Sequence, residues 1–321
     1  MDASEAGRLD IGTTVLGAMT FGSQVDQHRA EEMIALARDA GVRMFDTSNN
    51  YNGGLSEEIL GRAVAKFRDE VLISTKVGSS VDQGNDSMVG LSRRSIEGSV
   101  EASLRRLGTD YIDVYFFHRP DRATSIDESL EAIDGLVASG KVRYVGQSNF
   151  AAWQVAELRH IAGSRGWPKV EICQVMYNLL ARRVEHEYVE FSDHYGLTNI
   201  AYNPLAGGLL TGKHRRDDRP RSGTRFDKEM YRARYWNAAQ FDAVDELSRI
   251  ADGMSVDLVE LALRWLRDQR LTDAILIGAS SPEQLRSNLA ALQGPKLSDA
   301  VIEECDKVWA RLDGAAPDYN R

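Results

Sequence analysis

The sequence predicts a closed (β/α)8 barrel of the TIM type. Eight short runs rich in β-branched residues alternate with helical patterns along 321 residues. Polar titratable groups close three successive runs, and the carboxyl ends of buried parallel strands are where such a barrel gathers its functional side chains. No Gly-x-Gly-x-x-Gly turn follows an early strand, as it would in a doubly wound open sheet.

The first run is Thr13 to Leu16. Val42-Arg43-Met44-Phe45 is closed by Asp46, Val71-Leu72-Ile73-Ser74-Thr75 by Lys76, and Ile112 to Phe117 by His118. Val142 to Val145, Val170 to Val175, Asn199 to Tyr202 and Ala274 to Ile277 complete the eight. Ser92 precedes a helix that carries Ile96, Val100, Leu104 and Leu107 on one face and ends at Gly108. Ser56 opens another, bearing Leu60, Val64 and Phe67, with Glu57 and Glu58 in a first turn that favours anions. Lys213 to Arg234 breaks the rhythm with many arginines and aspartates around Pro220 and Gly223. A solvated excursion explains it most simply, but a loop of that length after the seventh strand also suits a cover over a bound ligand.

A hydrophobic content of 43% supports a large core, and the absence of repeats or a Pro/Gly/Ser-rich linker predicts one domain over residues 1–321. A net charge of -9 disfavours nucleic acid as a partner. The segment from Met1 to Asp10 lacks a basic region followed by an apolar one, and no later stretch has the apolar length of a membrane span, so cytoplasmic residence is expected. Cys173 and Cys305 are far apart without metal-ligand spacing and read as reduced, packed thiols. His28, His160, His186, His194 and His214 read as surface or capping residues, and no metal site is expected.

Asp46, Tyr51, Lys76 and His118 together fit proton and hydride transfer to a carbonyl. A carbonyl oxygen that gains negative charge needs a proton donor, and Tyr51 is the candidate, although a free phenol of pKa about 10 is a reluctant acid. A Lys76 cation would stabilise the phenolate and lower that pKa, Asp46 would keep Lys76 charged, and His118 would orient the substrate oxygen. Singly, each residue suits an ordinary structural role. Their joint placement at three strand ends favours the chemistry.

These residues resemble a known family. Asp46-Thr47-Ser48-Asn49-Asn50-Tyr51, followed by Ser56-Glu57-Glu58-Ile59-Leu60-Gly61, is similar to the aldo-keto reductase signature, in which Asp-Thr-Ala precedes the catalytic tyrosine. Gly90-Leu91-Ser92-Arg93-Arg94, Leu104 to Asp113, His118-Arg119-Pro120-Asp121 and Gly140 to Phe150 follow in family order. The resemblance runs from about Leu9 to Leu292 and is strongest to bacterial reductases related to potassium-channel β subunits. It implies the tetrad roles given above for Asp46, Tyr51, Lys76 and His118.

The resemblance also implies a nicotinamide cofactor. Ser148, Asn149 and Gln174 match positions that hydrogen-bond the carboxamide, and Tyr202 matches the aromatic stacked on the ring. Thr20, Asp46, Asn203, Leu205, Gly207 and Lys213 join the expected cofactor contacts, the loop to Lys213 offering free amides and one cation to a pyrophosphate. After the eighth strand, Gly278, Ser280, Gln284 and Asn288 would face the adenosine end. Ser281, Pro282 and Gln284 also read as cap, first helical position and capping box, and that helix start is itself an anion site. The family often has an arginine among the adenosine positions. Here there is none, and Lys213, Arg215 or Arg216 would supply the charge, so NADP is expected, with NAD the alternative.

The expected substrate is a small aldehyde, ketone or sugar-like carbonyl, or the corresponding alcohol. Phe21, Asn50 and Arg119 are the residues expected to line its pocket, Arg119 either attracting an anionic group or pairing with Asp121. Two other classes fit the residues: a Schiff-base aldolase with Lys76 as nucleophile, and a cofactor-binding regulatory subunit of slow turnover.

Overall fold

The computed structural model describes residues 9–79, 89–218, 220 and 223–314, so the N-terminal segment read above for a leader lies almost wholly outside them. Eight parallel strands close in sequence order into a barrel: β1 (Thr14–Gly17), β2 (Met44–Asp46), β3 (Leu72–Val77), β4 (Ile112–Phe117), β5 (Val142–Ser148), β6 (Ile172–Met176), β7 (Thr198–Tyr202) and β8 (Ala274–Ile277). All eight predicted runs are strands. β5 extends three residues past Val145, which places Ser148 on the strand end.

Alternation along the strands builds two cores. Val15, Met44, Val114, Phe116, Ile172, Ile200 and Ala274 fill the barrel interior. Their neighbours Leu16, Phe45, Tyr115, Phe117, Cys173, Ala201 and Ile275 point outward and pack under the helices. Both cysteines are buried free thiols, as predicted.

The helices are α1 (Gln27–Asp39), α2 (Leu55–Val64), α3 (Arg93–Leu107), α4 (Ile126–Ala138), α5 (Ala152–Arg165), α6 (Tyr188–Tyr195), α7 (Glu229–Tyr235), α8 (Ala238–Gly253), α9 (Leu258–Arg267), α10 (Pro282–Leu292) and α11 (Asp299–Asp313). α3 starts and stops where its caps predict: Ser92 accepts from the backbone N–H of Ser95, and Gly108 adopts φ 63°. α2 corrects the sequence reading. It begins at Leu55 behind Gly54, and Ser56 is no cap: its hydroxyl is buried and donates to the carbonyl of Ala18 at 2.7 Å. Glu57 likewise belongs to the interior, where it holds Arg106 at 2.6 Å and accepts from Thr75 at 2.6 Å. Gly61 lets α2 lie against α3, since a Cβ there would collide with the Leu107 backbone.

Near the amino ends of the strands, the buried Asp113 of β4 gathers three donors. It accepts from the Ile73 N–H at 2.9 Å, from Arg68 at 2.7 Å and from Arg143 at 3.0 Å. Both guanidinium groups lie over the Tyr111 ring, 4.1 and 3.7 Å from its centroid.

Candidate active site

The carboxyl ends of the strands open into a cleft of about 600 Å3, a size suited to a large cofactor with its substrate. Asp46, Tyr51, Lys76 and His118 all line it. Asp46 and Lys76 are 1% exposed, and the Lys76 ammonium donates to Asp46 Oδ2 at 2.5 Å and to the Thr47 carbonyl at 2.6 Å. The other carboxylate oxygen accepts from Ser74 at 2.7 Å and from the Gln174 amide at 2.6 Å. Lys76 also stands 5.1 Å from the centre of the Tyr51 ring.

The turn after β2 presents Tyr51. Asn52, Gly53 and Gly54 take φ of 53°, 66° and 93°, a left-handed stretch that Asn and Gly tolerate best. Asn52 fixes the turn to the loop after β1 by donating to the carbonyls of Met19 and Phe21 at 2.9 and 2.6 Å. His118 meets Tyr51 edge-on, with ring centres 6.0 Å apart.

Burial reorders the expected electrostatics. Burial pushes the Tyr51 phenol up, and although Lys76 pulls it down by charge and hydrogen bonding, the net direction is upward. The expectation that Lys76 lowers this group below an ordinary phenol is therefore corrected: desolvation outweighs the cation. Lys76 behaves oppositely. Burial would lower it, but Asp46 and Tyr51 outweigh burial and leave it above the usual lysine value. Burial, aided by Lys76 and Arg119, depresses His118 to about 3, so the imidazole is neutral at physiological pH.

Every residue expected at the cofactor borders the cleft: Thr20, Ser148, Asn149, Gln174, Tyr202, Asn203, Leu205, Gly207, Lys213, Gly278, Ser280, Gln284 and Asn288. Several already hold one another. Thr20 donates to the Ala279 carbonyl at 2.8 Å, tying the β1 and β8 loops. The Tyr202 hydroxyl donates to Asn149 Oδ1 at 2.6 Å. Asn203, at φ 62°, accepts from the Gly207 N–H at 2.7 Å, and a Cβ on Gly207 would strike the Tyr231 ring at 2.8 Å. Ser281 caps α10 as predicted, but Gln284 accepts from the N–H and hydroxyl of Ser280 at 3.1 and 3.0 Å, one residue before the reciprocal position of a capping box.

The segment after β7 supplies groups that the sequence reading did not single out. Arg225, Lys228, Tyr231 and Arg234 border the cleft, and an Arg225 guanidinium nitrogen lies 3.4 Å from where a Cβ on Gly278 would sit. Arg216, expected as a replacement cation, instead pairs with Asp242, and Arg215 is not in the cleft lining. His214 is no surface residue: it borders the cleft and packs on Phe226 and Trp236 at 4.9 and 5.4 Å. Gln24, from the loop after β1, donates to the Gly223 carbonyl at 2.8 Å and so joins the two walls. The arginine-rich composition marked this segment; only the fold tells which of its cations turn inward.

Of the three residues expected in a substrate pocket, only Asn50 borders the cleft. Phe21 is wholly buried in the outer core, and Arg119 donates to the Gly78 carbonyl at 3.4 Å. Asp121 is not its partner; that carboxylate accepts from the Leu91 N–H and the Thr124 hydroxyl at 2.8 and 2.7 Å. Among the described residues no group of three or more His, Cys, Asp or Glu could hold a metal ion, and no helix is long and apolar enough to cross a membrane.

Residues 13–310 match the model of the Aldo/keto reductase family. The chain belongs to the aldo/keto reductase family. Aflatoxin B1 aldehyde reductase member 2 of Mus musculus is 34% identical, covering 96% of this chain and 87% of that protein. A probable voltage-gated potassium channel subunit beta of Arabidopsis thaliana is also 34% identical, covering 94% of this chain and 93% of its own. Uncharacterized oxidoreductase YrpG of Bacillus subtilis is 35% identical over 97% of this chain and 96% of its own. As an aldo/keto reductase the chain is an oxidoreductase of carbonyl compounds, with a nicotinamide nucleotide as the family's cofactor.

Proposed function

We propose that this aldo/keto reductase is a single-domain cytoplasmic enzyme that interconverts an aldehyde, ketone or sugar-like carbonyl and its alcohol, with Tyr51 as general acid and base and NADP as cofactor. The observation that carries the proposal is the buried chain of charge from Asp46 through Lys76 to Tyr51, beside a neutral His118 at the cleft floor.

The donor set fits the cofactor. The Tyr202 ring offers a stacking face, the Gln174 side chain borders the cleft, and Lys213 and Arg225 are cations in the lining of a protein whose net charge is -9. Arg225, beside Gly278, is the proposed partner of an adenosine phosphate. When bound, the reduced nicotinamide supplies a hydride. The protein residues manage the proton. Tyr51 enters protonated, because burial holds its phenol high, and gives its proton to the carbonyl oxygen as negative charge builds there. Lys76 stabilises the phenolate left behind, and Asp46 keeps Lys76 charged throughout. His118 borders the same space and orients the oxygen. In alcohol oxidation each proton runs backwards. The charge state of Lys76 weighs against its use as a Schiff-base nucleophile, which needs a free amine.

The test is a titration with NADPH and NADH, read by intrinsic fluorescence, followed by a screen of carbonyls and alcohols with both nucleotides. Tighter binding of NADPH, weakened by Arg225→Ala, is expected. No binding of either nucleotide at millimolar concentration, or no turnover of any carbonyl, defeats the proposal; equal affinity for the two defeats the phosphate site.

A further inference from the structure

The histidine at the cleft floor does not act on its own. Ser48, wholly buried, places its hydroxyl 3.2 Å from His118 Nδ1 and 2.7 Å from Asn50 Oδ1. Asn50 in turn borders the cleft. His118 Nε2 has no protein partner among the described residues, and the ring borders the cleft.

A neutral imidazole carries one N–H, and the partner of one nitrogen decides which nitrogen has it. A serine hydroxyl has a single proton to give. With Asn50 Oδ1 turned to Ser48, the hydroxyl donates to the amide oxygen and accepts from Nδ1–H, leaving Nε2 a bare acceptor. With the Asn50 amide reversed, its N–H donates to Ser48, Ser48 donates to Nδ1, and Nε2 carries the proton. The ring keeps one N–H and the serine one O–H in both arrangements. Only the second offers a donor to a carbonyl oxygen.

We propose that Ser48 and Asn50 are positioning residues that set the tautomer of His118, the form with Asn50 nitrogen toward Ser48 being the one that binds a carbonyl. The proposal rests on the oxidoreductase reading for its consequence in catalysis, but the ring itself can be read without turnover. Asn50 lies at the cleft wall and Ser48 beneath it, so a group bound against the Asn50 amide biases the protonation of a nitrogen that it need not touch.

The experiment uses the isotope-labelled full chain at neutral pH. Long-range nitrogen–proton correlation spectra report which His118 nitrogen is protonated, the His118 signals being those lost in His118→Asn. Asn50→Asp leaves only acceptors facing Ser48 and should move the ring toward Nδ1–H. Asn50→Leu frees Ser48 to donate to Nδ1 and should move it toward Nε2–H. Adding Ser48→Ala to Asn50→Asp should abolish the shift, since the hydroxyl carries it. The kcat for carbonyl reduction should follow the Nε2–H population, about tenfold lower in Asn50→Asp than in Asn50→Leu, the scale of one lost hydrogen bond. The same tautomer ratio in both Asn50 variants, or a shift that persists without Ser48, overturns the proposal. If the wild-type chain reduces no carbonyl, the oxidoreductase reading falls, while the spectra still decide the relay.

Discussion

Gln174 donates its side-chain amide to Asp46 Oδ1 at 2.6 Å, across 128 positions of sequence. One side chain thus braces the carboxylate that holds Lys76 and keeps its own oxygen available to the cleft. Gln174→Ala should lose a buried hydrogen bond worth about 1–3 kcal/mol and weaken nicotinamide binding. Urea unfolding and a nucleotide titration check both effects; unchanged values in the two would remove Gln174 from the site.

Lys76→Met should abolish turnover with cofactor affinity nearly intact. It also leaves the Asp46 carboxylate buried without its cation, a loss of roughly 3–5 kcal/mol. Denaturation of the variant reads that penalty, and Asp46→Asn added to it should restore part of the stability. A borohydride-stable substrate adduct on Lys76 in the wild type would instead establish aldolase chemistry.

Tyr51→Phe removes one hydroxyl and spares the fold. Carbonyl reduction should fall at least about a hundredfold, in kcat more than in KM, because the proton moves in the transition state. Steady-state kinetics with chemistry limiting turnover decides the matter, and a wild-type rate would refute the role of Tyr51.

His118 should make the protein acid-sensitive. Its pKa is about 3 in the fold against 6.5 for the ordinary group, so on acidification the unfolded chain takes its proton first. The stability that this group contributes is full above pH 6.5 and drains away as pH falls toward 3, by up to roughly 1.4 kcal/mol per pH unit. Chemical denaturation across that window should show a shallower slope for His118→Asn; equal slopes would contradict the depressed value.

Gln24→Ala cuts the hydrogen bond between the loop after β1 and Gly223. Cofactor release should become several-fold faster, the scale of one exposed hydrogen bond of about 1 kcal/mol, as stopped-flow fluorescence would show. An unchanged release rate would mean that the segment after β7 does not retain the nucleotide.

The barrel was legible because its strands repeat a local signal: β-branched runs of the right length, with Asp46, Lys76 and His118 at their ends. The tetrad followed from those ends and from the family pattern. What the sequence hid depends on burial and side-chain direction. Ser56 looks like a helix cap and is an interior hydroxyl bonded to Ala18. Phe21 looks like a pocket residue and is core, while His214 looks like surface and faces the cleft. The sign for Tyr51 was missed for the same reason, since the cost of desolvation is a property of the surroundings and not of the residue.

The Asp113 clamp with Arg68 and Arg143 lies on β4 five residues before His118, the residue that follows the strand, about 16 Å away at the usual rise of a strand. Damage there and damage at the cleft should therefore leave different signatures. A lesion at Asp113 would deplete the amount of folded enzyme while each surviving molecule works at full speed. Loss of Asp113 is thus read in abundance alone, whereas loss of Lys76 at the cleft is read in abundance and in chemistry together.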